Sequence, residues 1–230
     1  MIRGALAAVA FAVAACLASG WAAARDAKLG AAMVALPPPE GYCEFDTSNA
    51  VDAKMVAAVE GMLGRSGNRL LSLSADCSQL ADWRVRKRQL VDNLAQYQTL
   101  ASWENAQLPP ATIGETCTQM RTRGEQLVAD MTADVQARAE KILKTVKINE
   151  MKFLGVVGEE PRVCYAAMLQ RFLTEAGTDK TQAIVFAMTI VRQKLVYYYL
   201  FAPYVNGATI SSMLEQHKAN VRRLQGENGN

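Results

Sequence analysis

One histidine, His217, serves a chain of 230 residues. That scarcity removes histidine-rich metal sites and leaves any Ser–His–acid arrangement with a single candidate base. Ser211 and Ser212 lie one to two turns before His217 on the same predicted helix. Neither can be the strained, exposed nucleophile that a triad requires, so His217 is expected on a solvated helix face.

Other signatures are missing too. No two of the five cysteines stand in CxxC spacing, which argues against a thioredoxin-type redox pair or a zinc knuckle. Gly61, Gly64 and Gly67 resemble a glycine-rich loop, but no Lys-Ser/Thr follows and no strand precedes, so they read as a helix end and turn. Glu159 and Glu160 are adjacent in a turn before Pro161 and cannot flank a scissile glycosidic bond. A net charge of +3 is too weak to argue for nucleic acid. The residues therefore nominate no catalytic group, no metal set and no cofactor.

Beyond the N-terminal leader, no apolar run of membrane-spanning length is free of charge. The longest, Gln182 to Tyr204, carries Arg192 and Lys194 near its middle. As a spanning helix it would place two cations at the bilayer centre, at about 2.5–3.5 kcal/mol each. Its arms are rich in β-branched and aromatic residues, among them Ile184, Val185, Thr189, Ile190, Val196 and Tyr197 to Tyr199. The stretch is expected to be a hairpin of two strands, covered on both faces, around a polar turn at Arg192, Gln193 and Lys194.

The leader itself is legible. Arg3 is a short basic region, Ala5 to Leu17 an apolar one, and Ala22-Ala23-Ala24 a small-residue cleavage site. Residues 1–24 read as a signal peptide that exports the chain to the periplasm. Val13-Ala14-Ala15-Cys16 is an alternative lipobox that would make the product a lipoprotein anchored through Cys16. The remaining cysteines, Cys43, Cys77, Cys117 and Cys164, are an even set in an exported chain, hence two disulfides. Four cysteines allow three pairings. Cys43–Cys77 with Cys117–Cys164 is preferred, because the first two are expected on strands separated by one helix.

Residues 25–40 are small and Ala-rich, end in Pro37-Pro38-Pro39, and read as a linker. A single domain spans 41–225. Tyr42 to Phe45 is expected as a strand, Val51 to Leu63 as a helix, and Arg69 to Cys77 as a strand with Leu71, Leu73 and Ala75 on one face. Gln96 to Glu104 follows as a strand with Tyr97, Thr99, Ala101 and Trp103 on one face. Residues 112–147 form a helical insertion, with Gly124 as a potential break and an apolar stripe through Met120, Leu127, Val128, Met131, Val135, Ile142, Leu143 and Val146. Then come strands at Met151 to Val157 and Val163 to Leu173, the hairpin, and a helix from Ala208 to Leu224. Residues 226–230 are expected to be a flexible tail. The order predicts an α+β fold: an antiparallel sheet, including a C-terminal meander, with helices packed on it.

Two surface features could carry binding. Arg84, Arg86, Lys87 and Arg88 behind Trp83 are the one basic cluster and could contact an anionic envelope component. Within it, Asp82 is expected to pair with Arg84. Tyr197-Tyr198-Tyr199 must point to both faces of a strand, either as core packing or as the wall of a ligand pocket.

The segments LPPPEGYCEFD, ADCSQLADWR and VYYYLFAPY, the last followed by a helix, resemble exported proteobacterial proteins of uncharacterised function. The element order is also similar to the PsbP-like fold, which includes DcrB-like envelope lipoproteins. The resemblance implies an antiparallel sheet with helices on its faces and a binding or assembly role. The expected function is thus a non-catalytic binding or assembly protein of the bacterial envelope, with an envelope protein or an anionic envelope component as partner. An envelope hydrolase with a site assembled from dispersed residues, or an accessory lipoprotein through Cys16, are the alternatives.

Overall fold

The computed structural model describes residues 24–143, 146–174 and 177–229. The signal peptide and the lipobox at Cys16 lie outside the described residues, apart from Ala24. The hairpin over Gln182 to Tyr204 is present and central. Strands β8 (Asp179–Val191) and β9 (Lys194–Pro203) pair antiparallel from Gln182↔Pro203 to Val191↔Lys194. The two-residue loop between them holds Arg192 at φ 49° and Gln193 at φ 62°. Positive φ at both positions is the twist that suits a tight hairpin. Lys194 leaves the turn and opens β9, with Nζ donating to the carbonyls of Glu104 and Ala106 at 2.8 Å each. From Ala183 to Val191 every residue of β8 is buried, as the continuous apolar run requires.

Around this pair stand β3 (Tyr42–Glu44), β4 (Asn68–Asp76), β5 (Leu94–Leu100), β6 (Val146–Glu160) and β7 (Val163–Thr174). They form one seven-stranded antiparallel sheet in the order β3-β4-β5-β9-β8-β7-β6. Four helices are α1 (Ala50–Gly64), α2 (Cys77–Arg84), α3 (Thr112–Leu143) and α4 (Gly207–Glu227). The fold is α+β, with the C-terminal meander β6 to β9 and helices on both faces.

One face is covered by α4, whose Met213, Val221 and Leu224 pack on Tyr97, Tyr165, Val185, Tyr198 and Leu200. The same core takes Ala27, Leu29, Val34 and Leu36 from a separate hairpin, β1 (Arg25–Leu29) with β2 (Ala32–Leu36). The expected linker at 25–40 is therefore corrected over these residues. Inward Ala27/Leu29 and Val34/Leu36 alternate with outward residues, and Gly30 at φ 57° turns the chain. The expected flexible tail is corrected as well. Asn228 is buried, its side chain donating to the carbonyls of Ala35 and Leu224 and accepting from the Ala35 N–H. These bonds tie the end of α4 to the first hairpin.

The opposite face carries two separate apolar clusters. Under α1 and α2 lie Phe45, Leu73, Ala75, Leu80 and Val91. Under α3 lie Cys164, Ala166, Met168, Ile184, Phe186 and Met188. Helix α3 is unbroken at Gly124, which is buried instead: a β-carbon there would stand 2.2 Å from the Phe153 ring. The glycine lets the helix axis approach β6. Its buried stripe is narrow, through Ile113, Cys117 and Val128, while Leu127 is exposed. Met131, Val135, Ile142, Leu143 and Val146 lie outside the described side chains.

Three local expectations change for backbone reasons. Leu71 is the extra residue of a β-bulge between Leu70 and Ser72, so it packs with the α4 core while Leu73 and Ala75 pack under α1. Cys77 begins α2 rather than ending β4, because the Asp76 carboxylate caps the helix at the Gln79 N–H, 3.0 Å. Strand β5 stops at Leu100, where a 3-10 turn over Ala101–Trp103 removes Trp103 from the Tyr97 face.

The disulfides are Cys43–Cys77 and Cys117–Cys164, with Cα–Cα distances of 4.9 and 5.5 Å. The first ties β3 to α2, and the second ties α3 to β7 beneath it. Such a pair of bridges belongs to an oxidising, extracytoplasmic compartment. No helix among the described residues is long and apolar enough to cross a membrane.

Candidate functional site

The two clusters under α1 and α3 leave a strip of sheet between them, floored by β5 and β9. Strand alternation sends Ala95, Tyr97, Val196, Tyr198 and Leu200 toward α4. It sends Gln96, Gln98, Tyr197, Tyr199 and Phe201 to the α1/α3 side, where the three aromatic residues are half-buried against the α3 core. Gln96 stands directly across from Tyr199, and Gln98 across from Tyr197. The rings repeat along β9, Tyr197 to Tyr199 at 6.4 Å and Tyr199 to Phe201 at 6.2 Å, with interplanar angles of 29° and 22°. Phe186 stacks beside Tyr199 at 5.3 Å. Burial raises the phenol pKa values of Tyr197 and Tyr199, so both stay protonated donors.

Gln96 is 9% exposed and Gln98 2%. Helix α1 also packs against α3 on this side of the sheet, and Gln98 is covered. At the end of the sheet lies a cavity of about 250 Å³, lined by Asp92, Phe172, Lys180, Thr181, Gln182, Pro203 and Tyr204.

At this opening one carboxylate faces two cations. The Asp92 carboxylate accepts from Lys180 Nζ at 3.0 Å and from Arg88 Nη1 at 2.8 Å, while Gln182 donates to the Asp92 carbonyl at 3.2 Å. The floor itself is uncharged.

The basic cluster is divided. Arg84 does not pair with Asp82: its guanidinium turns inward to Asp52, which is fully buried and also accepts from the Asp46 N–H at 2.8 Å. These bonds raise the Arg84 pKa further. Asp52 sits in the first turn of α1, where the Asn49 side chain caps the helix, and the sequence offered no local sign of a partner 32 residues away. Arg88 is held by Asp92, while Arg86 (φ 62°) and Lys87 are exposed.

His217 is also relocated. It faces the sheet, fully buried, with Nε2 3.0 Å from the Tyr198 carbonyl and its ring 4.2 Å from the Tyr198 ring. Nδ1 and the hydroxyls of Tyr165 and Tyr198 are buried without hydrogen-bond partners among the described residues. Burial depresses the imidazole pKa to about 3, so the ring is neutral. Neighbouring Asn220 donates to the Tyr97 hydroxyl at 2.7 Å, and that hydroxyl donates to the Pro37 carbonyl at 2.8 Å. This is a packed polar core rather than an accessible base.

The amides at Gln96 and Gln98 escaped sequence reasoning. The available signal was glutamine at every second position of a strand otherwise made of apolar and β-branched residues. Among the described residues, no group of three or more His, Cys, Asp or Glu is placed to hold a metal ion. No protein-family profile, curated protein or solved structure matches this chain.

Proposed function

We propose that this protein is an exported, non-catalytic binding protein of the bacterial envelope, working in the periplasm on an envelope partner. The observation that carries the reading is the cavity of about 250 Å³ at the end of the sheet, lined by Asp92, Phe172, Lys180, Gln182, Pro203 and Tyr204 beside the aromatic row of β9. The Asp92 carboxylate at the mouth is held by both Lys180 and Arg88, which favours binding over a role for it as a free general base. The two disulfides and the signal-like leader support an extracytoplasmic place of work. The resemblance to exported proteobacterial proteins points the same way.

The test is site-specific photocrosslinking in intact envelopes, with the probe at Phe172 at the mouth or at Met33 on the hairpin β1–β2. A discrete adduct from Phe172 and none from Met33 is expected. Identical, diffuse patterns from both positions would refute a binding role for this face.

A further inference from the structure

We propose that the cavity beside Asp92 takes a singly charged anionic group carried on an apolar body. The anion would lie against Lys180 and Arg88, and the body against Phe172, Pro203 and Tyr204. This names the ligand class for the binding reading above and rests on it. Three observations carry it.

The first is charge. Lys180 Nζ stands 3.0 Å from Asp92 Oδ1 and Arg88 Nη1 stands 2.8 Å from Oδ2, so two cations from different elements share one acid. The cationic side chains are 38% and 36% exposed and the carboxylate 20%. The acid is thus the more covered group, and an anion arriving from solvent meets the ammonium and the guanidinium. Arg86 and Lys87, next to Arg88, are exposed and form no ion pair among the described residues. The nearby acids are Asp76, whose Oδ1 accepts from Ser78 and the Gln79 N–H, and exposed Asp82, whose carbonyl accepts from the Lys87 N–H. Arg86, Lys87, Arg88 and Lys180 against Asp76, Asp82 and Asp92 leave one positive charge, which draws a single anion in.

The second is pre-organisation. Asp92 stands in the irregular segment between α2 and β5, yet other elements hold it in place. Its N–H donates to Gln79 Oε1 at 2.9 Å, and its carbonyl accepts from Gln182 at 3.2 Å. Through its carboxylate this fixed residue positions two long cationic side chains. Less side-chain freedom is then lost when an anion binds them.

The third is the rest of the lining. Phe172, Pro203 and Tyr204 give the same cavity apolar surface, which a bare inorganic anion would leave uncovered. A volume of about 250 Å³ lies below the ~300–1,000 Å³ typical of drug-sized ligands and suits one ring or a short chain beside the anion. An aryl carboxylate and the phosphodiester of a lipid headgroup share this chemistry.

The test uses the mature protein and four probes: phenylacetate, monomeric dihexanoylphosphatidylglycerol, benzylamine and inorganic phosphate. Binding is read by calorimetry and by the backbone amide resonances of Thr181 and Tyr204. At least one of the two amphiphilic anions is expected to bind and shift both resonances, and the tighter of them tells a small carboxylate from a lipid headgroup. Benzylamine and inorganic phosphate are expected to bind about tenfold more weakly or less. Lys180→Gln is expected to weaken anion binding about tenfold with an unchanged circular dichroism spectrum, and Arg88→Gln serves if that variant fails to fold. Asp92→Asn keeps the backbone bonds and an acceptor oxygen but removes the opposing charge, so it should tighten anion binding about threefold. Unshifted amides, benzylamine or inorganic phosphate binding as tightly as the amphiphiles, or weaker anion binding in Asp92→Asn would each overturn the assignment. Phe172 adducts in envelopes together with silent anions would sink this inference alone; loss of both would sink the binding reading as well.

Discussion

Acidification should destabilise this protein through its single histidine, and the effect can be worked out from His217. Helix α4 presses the ring onto β9, with Tyr198 at 4.2 Å and Tyr165 at 5.8 Å. Desolvation lowers its pKa from 6.5 to about 3, with the backbone groups of Tyr198 and Val185 opposing weakly. The titratable groups facing it are the neutral phenols of Tyr165 and Tyr198, and neither is a counter-ion. The folded state therefore keeps the ring neutral, while the unfolded chain takes up a proton as pH falls through 6.5. Between pH 6.5 and about 3 the unfolded state binds more protons, so stability falls with pH at up to ~1.4 kcal/mol per unit. At pH 4.5 the loss attributable to this residue is about 3 kcal/mol, and the full window is worth about 5 kcal/mol. Urea unfolding of the wild type and His217→Leu between pH 7 and 4.5 measures it. Carboxylates titrate in both proteins, so the difference between the two profiles isolates the histidine. The wild type should lose about 3 kcal/mol more than the variant. Parallel profiles would refute the reasoning, as would a His217 ring resonance that titrates near pH 6.5 in the folded protein.

Two further outcomes follow from packing. Gly124→Ala should destabilise by about 1–3 kcal/mol despite alanine's helix preference, because the new methyl meets the Phe153 ring, and Phe153→Leu should restore part of the loss. Thermal melts of the single and double variants decide it; a stabilised Gly124→Ala would show that the helix can shift freely on β6. Asp52→Ala should cost about 3 kcal/mol, the lower end for a broken buried pair, since the Arg84 side chain is 32% exposed and partly resolvated. A loss below about 1 kcal/mol in denaturant unfolding would mean the pair is no more than a surface bridge.

The hairpin at Gln182 to Tyr204 was readable because its signal is local: two β-branched arms, a polar pair between them, and a proline at the end. The preferred cysteine pairing is present for a different reason than the one offered: Cys77 begins α2 instead of lying on a strand, and the Tyr42–Asp76 pairing of β3 with β4 brings it beside Cys43. The first hairpin was hidden, because Arg25 to Leu36 alternates over only five residues per strand in an alanine-rich stretch. Asn228 looked like part of a polar tail, and its partner, Ala35, lies 193 residues earlier. Arg84 sits beside Asp82 in sequence yet meets Asp52 in space.

By itself the sequence determined the α+β class, most elements from Tyr42 onward, an antiparallel meander and an even set of cysteines. These follow from periodicity, turn chemistry and composition, which act over a few residues. Tertiary structure alone decided which faces meet. It turned His217 from solvent into the core, divided the basic cluster, and set Gln96 and Gln98 beside Tyr199 and Tyr197. The physical reason is that burial belongs to a packed surface: a residue's pKa, partner and accessibility depend on what other strands and helices place against it.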